Sequence, residues 1–365
     1  MVLLLSEHAN NYSNNSDNGI ALPKKIGVIY SEVKREYFPT ESQYITEKNS
    51  HEEAEIVAEY IRKMDIEVFL YPGDEGLAVS LQRDKPELVF NLVGSIRGKE
   101  YLESAIPAVL ELVDIPYTGA GILGESLGYN KFIIKKLQQQ AGVPTPAYQL
   151  FNSFSDPLDM ELRFPLISKL NEIHGAVEIT KDAVSENEKH LRDRLKFLIN
   201  TYKQPALVEE FIAGREITAI LLTGTNRKVY MAEKVFNKPN DKYVFATLED
   251  QWGEFSDDQS TWPYTYSKYE DPILKEYIKK AFDVCRMRGY GKFDIRLDYS
   301  GRYYFIDSNS NPAFGPKEAN VAMSLILDLY GVSFNEILRR VIISSLRPED
   351  LGFSNGNGNG DQGEV

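Results

Sequence analysis

The spacing of apolar residues changes period along the chain, and each change marks an element. Residues 25–31 (KIGVIYS) form an apolar run of strand length, while 51–64 (HEEAEIVAEYIRKM) repeat with the 3.6-residue period of a helix. The alternation continues with a strand over 66–72, a short helix over 76–85, a strand over 86–93 and a helix over 100–113. Strands separated by helices need crossover connections, so this stretch predicts a mainly parallel, doubly wound sheet ending near Gly119.

The later pattern predicts two further units. Residues 125–140 (ESLGYNKFIIKKLQQQ) read as one long helix, ended by Ala141-Gly142 and the turn-forming VPTP at 143–146. Strands over 165–170 and 176–180 and a helix over 189–200 make the second unit. A strand over 206–212 opens the third, followed by strands over 216–224 and 228–236 and a helix over 271–289. Helices near 324–331 and 334–346 close the pattern. The expected organisation is an N-terminal α/β domain over 24–119, a central unit over 120–206 and a C-terminal unit over 207–348. The polar, Gly/Asn-rich ends, 1–23 and 349–365, are expected to be disordered.

Between Gly291 and Pro312 the period tightens to two. Phe293, Ile295 and Leu297 fall on one face of a strand, and Asp294, Arg296 and Asp298 on the other. Ser300-Gly301 reads as a turn, followed by a second strand, RYYFID. With a two-residue loop, Tyr299 faces Arg302, and counting outward sets Asp294 opposite Asp307. Asn309 lies two residues further on and shares their face. Directly opposed residues hold their Cβ atoms about 4.5–5.5 Å apart. Two carboxylates and an amide oxygen converging there make a hard-oxygen site, suited to Mg²⁺ shared with phosphate groups. An edge hairpin with a solvated charged face explains the same pattern, and the segment alone does not separate the two.

Composition narrows the partners. A net charge of −13, with no Lys/Arg-rich run to offset it, argues against nucleic-acid binding. The single cysteine, Cys285, excludes a disulfide framework, and the four scattered histidines carry no zinc spacing. No stretch nears the ~18 apolar residues of a membrane span, and the short apolar start lacks a basic flank, so a cytoplasmic chain is expected. An acidic protein that handles phosphates must gather its cations locally, which directs attention to lysines near the carboxylates.

Seven segments, in register, resemble those of ATP-grasp ligases similar to D-alanine–D-alanine ligase. They are IPYTG (115–119), Asn130-Lys131 within a helix, GVPTP (142–146), FPLISK (164–169), VEEFIAGREIT (208–218), KFDIRLD (292–298) and DSNSNP (307–312). The resemblance implies an α/β ATP-grasp fold: a doubly wound parallel-sheet domain, a small central α+β domain and a C-terminal α+β domain on an antiparallel sheet. It implies ATP and Mg²⁺, as one ion or two, with Mn²⁺ as a substitute. The implied reaction phosphorylates a small acid and lets an amine attack the acyl phosphate, which demands positioning and charge neutralisation more than covalent help. Similar ligases include dimers, so a homodimer is allowed.

Carried over by position, the resemblance puts Lys131 and Lys169 on the ATP phosphates and Glu209, Phe211 and Ile212 around the adenine. It puts Glu216 on the ribose hydroxyls and Asp294, Asp307 and Asn309 on the metal. Lys292 stands where the family has a catalytic arginine, and keeps the charge without the bidentate fork. Lys317 is a further candidate for holding a substrate carboxylate. Each of these residues has an ordinary alternative: a solvated lysine, or an exposed strand carboxylate.

The departures concentrate on the substrate side. The family's Gly-Ser-Ser loop reads Ile173-His174-Gly175-Ala176-Val177, a phosphate-contacting lysine reads Gln251, and the expected His-Gly reads Val93-Gly94. His174 either replaces a lost hydrogen bond or is a plain loop histidine, the latter being the preferred reading. Ala313 follows Pro312 where the family has glycine. Losing one preorganised donor costs about 2.7–4 kcal/mol, while enzymes commonly reach about 10⁶-fold acceleration or more, so one loss need not abolish activity. Changes at Val93, Lys292 and Ala313 argue against D-alanine as a substrate. The expectation is a carboxylate–amine ligase for an amino acid or related acid. The alternatives are a degenerate domain that binds nucleotide without ligating, and a D-alanine–D-alanine ligase that tolerates the changes.

Overall fold

The structure is a computed structural model and describes residues 21–346, apart from 225, 239 and 254–260. The ends expected to be disordered lie almost wholly outside the described residues. The first sheet is parallel with order β2-β1-β3, built from β1 (Lys25–Tyr30), β2 (Glu67–Pro72) and β3 (Leu88–Asn91). Helices α1 (Glu41–Tyr44), α2 (Ser50–Arg62), α3 (Leu77–Asp84) and α4 (Ala105–Leu112) supply the crossovers. A parallel bridge from Val89 to Tyr117 ends this part, as the alternating pattern predicts.

The predicted long helix is two: α5 (Ile122–Gly128) and α6 (Lys131–Gln140). Asn130 between them is extended, and its side chain accepts from the Ile133 N–H, so it caps α6 rather than continuing α5. The middle sheet has order β4-β7-β5-β6, from β4 (Tyr148–Phe151), β5 (Leu166–Leu170), β6 (Val184–Ser185) and β7 (Ala206–Glu210), and α7 (Glu188–Tyr202) packs on it. Residues 176–180, predicted as a strand, form turns instead: Ala176 and Glu178 have φ of +57° and +64°, outside the strand region. The strand expected to open the third unit, β7, pairs within the middle sheet, with β4 and β5.

The third sheet is antiparallel with order β10-β9-β8-β11-β12. Its strands are β8 (Gly214–Leu222), β9 (Lys228–Phe236), β10 (Tyr264–Tyr269), β11 (Tyr290–Asp298) and β12 (Tyr303–Asn309). The short helix α8 (Leu248–Trp252) lies between β9 and β10, and α9 (Pro272–Val284), α10 (Ala322–Leu329) and α11 (Phe334–Ser345) complete the unit. Cys285 caps α9 and is buried. One apolar cluster joins Ile26, Val28 and Leu88 of the first sheet to Ile220, Leu222, Ile337 and Leu338. The middle sheet has its own cluster around Leu166, Leu195 and Val208. The first and third units are therefore welded by a shared core, and the middle unit faces them across a cleft. Among the described residues, no helix is long and apolar enough to cross a membrane.

Candidate active site

A cavity of about 640 Å³ opens where the three sheets meet. Lys131, Lys169, Glu209, Phe211, Ile212 and Glu216 line it, as do Lys292, Asp294, Asp307, Asn309 and Lys317. Every residue singled out from sequence as a site candidate thus faces one space.

The β11–β12 hairpin brings Asp294 opposite Asp307 and Lys292 opposite Asn309. The expected pairing is present, but the two-residue loop is not. Asp298 pairs with Arg302, leaving Tyr299, Ser300 and Gly301 as a three-residue loop, with Gly301 at φ +80° and its N–H on the Asp298 carbonyl. Near the turn Leu297, Arg296 and Ile295 face Tyr303, Tyr304 and Phe305, a register one residue off the expected one. A bulge at Ile306 restores it before Asp307. Two departures from the simple hairpin cancel.

The bulge also re-aims the backbone. In a regular strand, successive carbonyls point to opposite sides. Here Phe305 and Ile306 both turn theirs to lysines: Lys135 Nζ donates to the first at 3.1 Å and Lys169 Nζ to the second at 3.0 Å. The same two ammonium groups grip Glu209, Lys135 at 2.7 Å from Oε1 and Lys169 at 2.8 Å from Oε2. Burial pushes the Glu209 carboxyl upward, but the two lysines outweigh it and hold it below the ordinary carboxylate range. Lys135 is not among the residues singled out from sequence. It is buried. The signal was present, because Lys131 and Lys135 are four apart and share one helix face with Ile134 and Gln138.

Glu216 is likewise held by two cations, Lys234 at 2.7 Å and Arg296 at 3.0 Å. Arg296 also donates to the Ile212 and Gly214 carbonyls, which fixes the bend after β7. Phe211 donates its N–H to Pro165, and the bend that follows lines the cavity through Phe211 and Ile212. There Phe211 packs edge-on against Tyr243 and Phe245, and Phe211, Phe245, Ile167 and Ile179 line the cavity as an apolar slot. Lys234, also missed from sequence, lies in β9 on the face of Tyr230 and Ala232, two residues apart along a strand.

Asp294 accepts from Thr218 Oγ1 at 2.8 Å, lies 3.4 Å from Lys234 and pairs with Lys292. Burial opposes its ionisation, but Lys234 and Lys292 hold the carboxyl far below its ordinary range. Burial likewise opposes Asp307, and the charges of Lys131 and Lys169 keep it low. Lys131 Nζ donates to the Ile173 carbonyl at 2.6 Å. Among the described residues no group of three or more His, Cys, Asp or Glu could hold a metal. The implied set is two carboxylates and an amide, whose charge and hard oxygens fit a divalent ion that shares its shell with phosphates. Lys317 sits at the rim, half exposed, and pairs with Asp328 at 2.6 Å. His174 forms part of the wall, with Nε2 3.7 Å from Glu100. Burial, aided by Lys131, lowers its pKa to about 3, so the ring is neutral. Gln251 and Trp252 line the cavity from α8, and the indole donates to the Gly175 carbonyl at 2.8 Å.

Residues 137–343 match the family described as D-ala D-ala ligase C-terminus. The uncharacterised protein y4sG of Sinorhizobium fredii is 29% identical over 298 residues, covering 79% of this chain and 86% of that one. A D-alanine–D-alanine ligase of Carboxydothermus hydrogenoformans is 27% identical over 285 residues, covering 75% and 86%. Among solved structures, D-alanine–D-alanine ligase of Bacillus anthracis complexed with ATP superposes with a TM-score of 0.66 at 18% identity, over 90% of this chain and 98% of that one. The VanG D-Ala:D-Ser ligase of Enterococcus faecalis gives 0.65 at 17% identity, over 88% and 99%. The match over more than half its length places this chain in the D-ala D-ala ligase C-terminus family, among the ATP-grasp enzymes that use ATP to form C–N bonds.

Proposed function

We propose that this chain is an ATP- and Mg²⁺-dependent carboxylate–amine ligase that acts through an acyl phosphate on an amino acid or related small acid other than D-alanine. The observation that carries the reading is the charge arrangement around one cavity. Four lysines from four different elements, Lys131, Lys169, Lys234 and Lys292, face the opposed carboxylates Asp294 and Asp307. Such a set neutralises a polyphosphate held against a divalent ion.

In this reading the apolar slot and the Phe211–Ile212 backbone take the adenine, and Glu216 the ribose. A carboxylate accepts up to about four hydrogen bonds, so Glu216 can serve Lys234, Arg296 and a hydroxyl together. Lys131 and Lys169 hold phosphates, and Asp294, Asp307 and Asn309 would hold Mg²⁺, which supplies charge neutralisation at the transferred phosphoryl group. Lys292 stands beside Asp294 and steadies the charge that develops on the acyl group. Lys317 at the rim is placed to meet a substrate carboxylate.

A second reading has one observation in its favour: both oxygens of Asp294 already engage lysines, so cations replace the metal and the domain binds nucleotide without ligating. The test is Mg²⁺-dependent ADP formation with and without pooled L- and D-amino acids and small peptides. Stimulation by a pool supports the ligase. ATP binding with equal affinity with and without Mg²⁺, and no stimulation, supports the second reading. Asp307→Asn should abolish turnover, and full retained activity would sink the metal assignment.

A further inference from the structure

The cavity has a second wall of opposite sign. Glu47, Glu100, Glu103 and Glu125, from the loop after α1, the segment before α4 and α5, all face it. Glu100, Glu103 and Glu125 are buried. Their hydrogen bonds are few: Glu47 accepts from Ser95 Oγ at 2.7 Å, Glu100 from the His174 N–H at 2.6 Å and Glu125 from Ser310 Oγ at 3.2 Å. Among the described residues, the ion-pairing partner of Glu100 and Glu103 is the neutral His174, at 3.7 and 4.0 Å. Glu125 supplies an independent sign of a missing ligand. It is 1% exposed, and among the described residues its Oε1 has no hydrogen-bond partner.

An unpaired buried carboxyl costs stability, and proteins carry few of them. Burial raises Glu100 and Glu103 well above the ordinary range and Glu125 to about 7, and the charges of Glu125, Glu100 and Glu47 add to the effect on Glu103. A cation entering this corner restores the ionised forms and supplies the absent donors. Position ties the corner to the chemistry, since Glu100 feels the charge of Asp307 on the hairpin. One ammonium brings one charge and three donors. Four carboxyls facing one space offer more acceptor oxygens than the three donors of one ammonium fill.

We propose that this wall receives a second cationic group, so that one of the two substrates carries two protonated nitrogens, as a basic amino acid or a diamine does. The proposal rests on the ligase reading and names its substrate class. In the test, ADP formation by the full chain with Mg²⁺ and ATP is measured with lysine, ornithine and 1,4-diaminobutane. Alanine and norleucine are the controls, norleucine being a straight-chain analogue without the second nitrogen. Dicationic compounds should stimulate turnover and the controls should not. Glu103→Gln should raise KM for the dicationic substrate about 10- to 100-fold, the worth of a charged hydrogen bond, while kcat moves less. Equal stimulation by norleucine overturns the proposal and leaves the ligase standing, as does an unchanged KM in Glu103→Gln. If nothing stimulates turnover, calorimetric binding to the unmodified chain decides. Lysine or diaminobutane binding without norleucine binding supports the cation site and counts against the ligase; no dicationic binding overturns the proposal.

Discussion

Replacing Glu209 by glutamine should unfold the middle of the site. The carboxylate lies 2.7 Å from Lys135 and 2.8 Å from Lys169, and all three groups are shielded from water. At an effective dielectric of about 20, each contact carries roughly 6 kcal/mol of Coulomb energy, and desolvation cancels much of it. Removing one member of a buried set leaves the others uncompensated, at a cost of about 3–5 kcal/mol. Here two ammonium groups would remain, repelling one another, with the Phe305 and Ile306 carbonyls as their remaining acceptors. Urea unfolding followed by circular dichroism should show the loss, and Glu209→Gln/Lys135→Met should regain part of it by removing one stranded charge. A loss under about 1 kcal/mol, the value of an exposed pair, would refute the argument. So would a double variant whose losses simply add.

Three further outcomes follow from the same geometry. Glu209, Glu216, Asp294 and Asp307 have folded pKa values below their ordinary 4.5 or 3.8, so their contribution to stability is present above those values and is lost as pH falls through the folded ones. Glu125 works oppositely: with its pKa raised from 4.5 to about 7, the folded state holds its proton longer and stability declines as pH rises across that window. Denaturant midpoints taken across the window should decline less in Glu125→Gln. Gly214→Ala should cost roughly 1–3 kcal/mol or more, because φ is +144° and a Cβ there would lie 2.1 Å from the Leu297 carbonyl oxygen; an unchanged midpoint would contradict the tight bend.

Much of the fold was legible because its signals are local. The switch from helix-separated strands to alternating runs separates the parallel first sheet from the antiparallel last one. Misreadings arose where non-local pairing decides. Residues 148–151 and 264–269 form strands without a marked apolar alternation, since each pairs with one neighbour at a sheet edge. Residues 176–180 look β-prone and instead form turns, with Gly175 packed against Thr46 of the first unit. Candidate residues that match a motif were found; Lys135, Lys234 and Arg296 were not assigned roles. Their importance depends on what lies across from them, Glu209 for one and Glu216 for the others. A buried lysine and a solvated one look alike until the partner's register is known.

The bulge at Ile306 separates two tasks that the hairpin performs together. Deleting Ile306 removes the extra residue, so Phe305 stays opposite Ile295 and Asp307 follows directly opposite Asp294 in a regular ladder. Side-chain alternation is kept, and both carboxylates remain on the cavity face. Lys169 loses the carbonyl it holds at 3.0 Å, and Phe305 alone continues to turn an acceptor outward, toward Lys135. Metal binding and lysine placement should therefore come apart: affinity for Mn²⁺, read by its paramagnetic signal, should change little. The KM for ATP should rise by about 10- to 100-fold, the worth of a charged hydrogen bond. If the bulge served only to correct the register left by the three-residue loop, its deletion would disturb the carboxylate pair and Mn²⁺ affinity would fall with the nucleotide. Equal losses in both would mean that the bulge is a repair of the turn, and unequal ones that it is a device for aiming Lys169.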